Sequence, residues 1–133
     1  MGTDEAIGIR VVVPRGNLLG GEAEALRRRL GEALAAGFCQ VVVDMRPACY
    51  VSARALGALL AHLDELRQRG GDLKLLACRP AVRQLFDLCG LGAVFEFLDT
   101  EEQIAASFGP QLSEPERQQL LEPSQATIEN GHG

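Results

Sequence analysis

Tryptophan is absent from this chain, tyrosine occurs once and phenylalanine five times, so the core must be built mainly from aliphatic side chains. Histidine occurs only as His62 and His132, and the four cysteines (Cys39, Cys49, Cys78, Cys89) form no Cys-x-x-Cys pair. That spacing suits neither a zinc site nor a redox pair, and it predicts reduced thiols in a cytoplasmic protein. No apolar run is long enough for a membrane-spanning helix. The opening residues Met1-Gly2-Thr3-Asp4-Glu5 are acidic and lack the basic-then-apolar order of a secretory leader. Positive charge is also short. Thirteen Lys and Arg face 18 Asp and Glu, for a net charge of −5, so no footprint for nucleic acid is expected. Reaction motifs are missing as well: there is no G-x-S-x-G nucleophile elbow, no phosphate loop ending in Gly-Lys-Ser/Thr and no H-E-x-x-H. The glycines between Gly16 and Gly21 have neither dinucleotide-binding spacing nor a nearby lysine. No catalytic residue, metal ligand or cofactor is therefore assigned.

What remains is an ordinary single-domain composition: 133 residues, 47% apolar and 23% charged. Residues 1–109 hold 12 basic and 14 acidic side chains. Residues 110–133 hold Arg117 against four glutamates, together with three of the six prolines. This end segment has too few large apolar residues to offset its ordering entropy, and it reads as an acidic, partly disordered tail. A short helix over Ser113 to Leu121 is the structure it could form, since Ser113 and Glu116 have capping-box spacing.

The body alternates between two periods. Ile9 to Val13, Val41 to Val43, Leu73 to Leu76 and Val94 to Leu98 read as strands. The first helix has Ala23, Leu26, Leu30, Ala33 and Leu34 at helical spacing, with Gly37 at its exit. The second follows Ser52 with Ala53, Leu56, Leu59, Leu60, Leu63 and Leu66, reads as the longest, and closes at Gly70-Gly71. The third opens at Pro80, turns Val82, Leu85, Phe86 and Cys89 inward, and stops at Gly90. The fourth follows a Thr100/Gln103 capping box and runs through Ile104 to Phe108. The order β-α-β-α-β-α-β-α implies right-handed crossovers and an α/β fold with a mostly parallel sheet of four to five strands and about four helices.

In such a domain ligands and partners meet the carboxyl ends of the strands. The longest connection there is Asp44 to Ser52, which runs into the second helix. Ser52 reads as the N-cap, with phosphoacceptor or partner contact as the alternative. Arg54 breaks a local rule, because a cation in the first turn opposes the helix dipole by a few tenths of a kcal/mol. It reads either as a solvated arginine or as a contact for an acidic partner or a bound anion. Tyr50 reads as buried support of the loop, with an exposed interface anchor as the alternative. Asp44 reads as a hydrogen-bonding loop residue. The cysteines read as small apolar fillers, His62 as a flanking helix residue, and Arg27-Arg28-Arg29 as the solvated face of the first helix, offset by Glu24 and Glu32.

This pattern resembles the STAS domain, the fold of bacterial anti-sigma factor antagonists. The residues that carry the resemblance are Val11 to Leu18, Val41-Val42-Val43-Asp44, Leu56 to Leu60, Arg69 to Leu75, and Val82 to Gly92 with Leu88-Cys89-Gly90-Leu91. It covers roughly residues 7–108 and implies a STAS-like fold and a non-enzymatic regulatory module that switches protein partners in transcription. In the family, an Asp-Ser-Ser/Thr-Gly motif opens the second helix, and its second residue is phosphorylated by a partner kinase. The stretch here is Ser52-Ala53-Arg54-Ala55-Leu56, so Ala53, without a hydroxyl, stands at the acceptor position, and Leu19 stands where a carboxylate often follows the first-strand glycine. The resemblance implies docking through Asn17, Tyr50, Ser52, Ala53 and Arg54 to an anti-sigma factor or a serine-kinase-like protein, and it admits a homodimer. The rivals are an accessory subunit of a larger assembly such as a lipid-transport system, and a small-ligand or anion sensor at the second helix's N-terminus.

Overall fold

The computed structural model describes residues 8–108, and the expected tail, with the short helix the sequence allows there, lies outside them. The elements follow the order β1 (Ile9–Val12), α1 (Gly20–Ala35), β2 (Gln40–Asp44), α2 (Ala53–Gln68), β3 (Asp72–Leu76), α3 (Pro80–Leu88), β4 (Glu96–Leu98) and α4 (Glu101–Phe108). All three strand pairings are parallel, and the sheet order β1-β2-β3-β4 follows the chain. The sheet has four strands among the described residues, the lower of the two numbers expected.

That order fixes the layers. Each crossover steps to the next strand in the same direction, and right-handed steps in one direction place their helices on one face. Side chains alternate across each strand, so Val12, Val41, Val43, Leu73 and Leu75 meet that layer. They pack against Leu26 and Leu30 of α1, Leu59, Leu63 and Leu66 of α2, and Val82 and Phe86 of α3. The opposite face, with Val42 and Leu76, is covered by Ile104, Ala105 and Phe108 of α4. A parallel sheet needs both faces covered, and the short fourth helix completes the burial.

On the α4 face Lys74 is 6% exposed. Its ammonium lies 2.6 Å from Glu96 Oε1 and 3.2 Å from Asp72 Oδ2, and above the Phe108 ring. A buried amine paired with two carboxylates avoids the large cost of an isolated buried charge. The hydrogen bond from Lys74 holds the Glu96 carboxyl below the usual carboxylate range, and Ser107 adds a second donor.

Several local expectations change. β4 begins at Glu96, because Val94 and Phe95 lie in the preceding turn; Phe95 is still buried, edge-on to Phe86. α1 equals α2 at 16 residues. Cys89 is exposed at the end of α3, and Cys49 is exposed in the loop before α2, so neither fills the core. Arg29 departs from its solvated neighbours: its guanidinium donates to the Val13 carbonyl at 2.9 Å and ties α1 to the end of β1. The expected compensation holds for the other two, with Arg27 bonded to Glu24 and Arg28 4.0 Å from Glu32. At the exit of α2, a Cβ on Gly71 would stand 1.8 Å from the Cys39 carbonyl oxygen, so the turn into β3 has room only for glycine.

Candidate docking face

Two connections at the carboxyl end of the sheet are joined into one surface. Leu18 and Val51 form an isolated parallel bridge. Leu18 donates its N–H to the Tyr50 carbonyl at 2.9 Å, and Ser52 donates to the Leu18 carbonyl at 3.0 Å. Asn17 Oδ1 accepts the Cys49 N–H at 2.7 Å. Asn17 is thus a clamp between two loops, exposed at the surface but with its side-chain carbonyl engaged. Beneath this seam Leu18, Met45, Ala48 and Val51 are fully buried. Their burial is worth about 1.5–3 kcal/mol for each large side chain, which makes the seam a firm platform.

The bridge also decides the direction of Tyr50. Extended residues alternate, and Val51 is 1% exposed, so its neighbour is turned outward. Tyr50 is 51% exposed, which overturns its reading as buried loop support and leaves the anchor alternative. Leu19, on the adjoining loop, is also exposed, at 45%. Nothing in the local sequence separates an exposed leucine there from a buried one, because the pairing partner is more than thirty positions away.

Ser52 is the N-cap of α2, in extended conformation (φ −77°, ψ 165°), and its hydroxyl accepts the Ala55 N–H at 3.2 Å. Ala53 and Arg54 follow, both exposed. Arg54 is partnered: its guanidinium lies 3.5 Å from Glu24 on α1. Glu24 also binds Arg27, whose hydrogen bond holds the Glu24 carboxyl below its usual range, with Arg54 adding to the effect. The unfavourable cation in the first turn of α2 thus has a carboxylate from another helix beside it. The few tenths of a kcal/mol lost to the dipole are small against the burial of Leu59, Leu63 and Leu66 along the same helix.

Asp44, 3% exposed, acts as a loop residue, as its position predicts. Its carboxylate accepts the Arg46 N–H at 3.1 Å and grips the Arg46 guanidinium, the shortest contact being 2.6 Å. This pairing raises the Arg46 pKa further above its ordinary value. Arg46 also faces Glu101 of α4 at 2.9 Å, and its carbonyl accepts from Arg79 Nε at 2.9 Å. Sequence reasoning passed over Arg46, although an aspartate at a strand end followed two residues later by arginine is a local signal for such a turn. Ala77, at the end of β3, has φ +56°, a left-handed conformation that costs a non-glycine residue about 1–2 kcal/mol.

Among the described residues no group of three or more His, Cys, Asp or Glu is placed to hold a metal ion, and no helix is long and apolar enough to cross a membrane. The structure brings Asn17, Tyr50, Ser52, Ala53 and Arg54 together at one end of the sheet. Their arrangement supplies contact area, a guanidinium and a helix N-terminus.

The model of the STAS domain family matches residues 3–104, and the chain belongs to that family. It is 30% identical over 105 residues to a Bordetella bronchiseptica protein provisionally named anti-sigma factor antagonist BtrV, covering 79% of this chain and 90% of that one. A second relative, an anti-sigma F factor antagonist of Paenibacillus polymyxa, is 24% identical over 95 residues, 71% of this chain and 81% of that one. The fold is also that of the solved anti-sigma factor antagonist SpoIIAA in its unphosphorylated form, with a TM-score of 0.67 and 22% identity, covering 86% of this chain and 96% of that one.

Proposed function

We propose that this chain is a non-enzymatic regulatory module of the anti-sigma factor antagonist kind, which binds a protein partner through loop 46–52 and the first turn of α2. The observation that carries this reading is the exposure of Tyr50, Ala53 and Arg54 on a seam that is otherwise buried and hydrogen-bonded. Tyrosine and arginine on a rigid support are the side chains that most often anchor protein interfaces. The surrounding groups offer no nucleophile–base pair for a reaction.

Ala53 closes the usual route of control. A phosphate placed there would add about −1.5 to −2 charges at the centre of the contact surface. Without a hydroxyl the position is fixed opposite that state, and the residue beside it, Arg54, carries a positive charge paired with Glu24. Ser52 stands one residue earlier, in extended backbone outside the helix, and its hydroxyl is already engaged as the cap. The pairing of Arg54 with Glu24 favours docking over the sensing of a small free anion, which would have to displace a carboxylate of the same chain.

The test is affinity capture from the native cell with the wild-type chain, Tyr50→Ala and Arg54→Glu, followed by intact-mass measurement of the bait. The expected result is capture of an anti-sigma factor or serine-kinase-like protein, weakened by about tenfold or more in each variant, with no phosphate on the bait. Undiminished capture by both variants would remove the assignment of this face.

A further inference from the structure

The loop proposed to dock begins at a residue that is also bound to the helix on the far face of the sheet. Arg46 is held by Asp44 at the end of β2 through contacts of 2.6, 3.0 and 3.2 Å, and it reaches Glu101 in the first turn of α4 at 2.9 Å. The Asp44 and Glu101 side chains are 4% and 17% exposed, and Arg46 between them is 43% exposed, so the cluster has a buried acidic side and a solvated basic one. Among the described residues, Glu101 Oε2 is buried and accepts no hydrogen bond, so the neighbouring Arg46 guanidinium is the charge set against it. A carboxylate oxygen withdrawn from water and facing one cation is costly to leave unpaired, so the two groups tend to move together or part at a penalty.

The rest of the first turn of α4 is fastened independently. Thr100 Oγ1 accepts the Gln103 N–H at 3.1 Å, and Gln103 Oε1 accepts the Asp99 N–H at 2.6 Å. The helix therefore presents Glu101 from a capped, fixed start. α4 is also the element that covers Val42 and Leu76, so its position is set by the core of the second face. The ion pair joins that face to the start of the docking loop.

We infer that the Arg46–Glu101 pair is a latch through which the seating of α4 sets the order of loop 46–52, with Arg46 as the positioning residue. By linkage the relation runs both ways: whatever displaces α4 loosens the docking loop, and whatever holds the loop steadies α4. This regulation rests on the reading of loop 46–52 as the docking segment, but the latch is a property of the free chain and is tested there.

The experiment is amide hydrogen exchange on the full chain, without partner, for the wild type and Glu101→Gln. The variant keeps the shape of the side chain and removes its charge. Exchange of the amides at 48–52 is expected to quicken by about fivefold or more, the ratio that corresponds to losing about 1 kcal/mol of local stability. The amides of Val41 to Val43 and Leu73 to Leu75 should keep their protection, which separates local release from unfolding. Should Glu101→Gln fail to fold, Glu101→Asp, which retains the charge on a shorter arm, is measured the same way. Arg46→Gln should quicken exchange in the first turn of α4 in return. Faster exchange confined to the mutated element, in either direction, overturns the latch. Its failure would leave the docking face untouched, since that face is judged by the capture experiment alone.

Discussion

Ser52 offers the sharpest quantitative test of how the face is built. Its hydroxyl accepts the Ala55 N–H at 3.2 Å, and Ala55 is 0% exposed. In Ser52→Ala that N–H loses its acceptor at a place where water cannot easily replace it. The general cost of removing a Ser cap is about 0.5–2 kcal/mol, and the burial of Ala55 points to the upper half, about 1–2 kcal/mol. For a domain of about 100 residues each kcal/mol lowers the melting temperature by roughly 4–8 °C. Ser52→Asp is the matching control. Its carboxylate restores the acceptor, and negative charge at a helix N-terminus contributes about 0.3–1 kcal/mol. It should therefore melt at or above the wild type. Urea unfolding at pH 7, with midpoint and slope compared among the three chains, reads the order directly. If Ser52→Ala lies within about 0.3 kcal/mol of the wild type, or if Ser52→Asp is as damaged as Ser52→Ala, the cap is not what holds the start of α2.

Two further predictions follow from the ionisable groups. The folded-state pKa of Glu96 is lowered, first by its hydrogen bond from Lys74, so its contribution is complete above the ordinary carboxylate pKa of 4.5 and is lost as pH falls through the folded value. Stability measured from pH 7 downward should therefore decline on the acid side, and Glu96→Gln should show a shallower decline; an unchanged acid limb would count against the pairing. The Cys78 thiol is pushed up to about 12 by burial, so it stays protonated at neutral pH. Brief alkylation read by peptide mass should modify exposed Cys49 and Cys89 well before the half-buried Cys78, and equal labelling of Cys78 would contradict its raised pKa.

The alternation of elements was legible because it is written in local periods. Apolar residues recur every three or four positions in the helices, while β-branched and aliphatic runs mark the buried strands. Ser52 as a cap and Gln103 in its capping box were equally accessible, since their partners lie within four residues. The resemblance rested on the same local features, and the family match bears it out.

The sequence by itself determined the βα order, the lack of a hydroxyl at Ala53 and the cap that begins α2, all properties of single positions or of neighbours along the chain. Only the tertiary structure decided that Tyr50 faces outward, that Asn17 clamps the Cys49 amide, that Arg54 meets Glu24, and that Arg46 ties the loop to α4. Each of those outcomes depends on which distant segment a side chain meets, and that is fixed by parallel strand register and by the right-handed stacking of the crossovers, which no local spacing records.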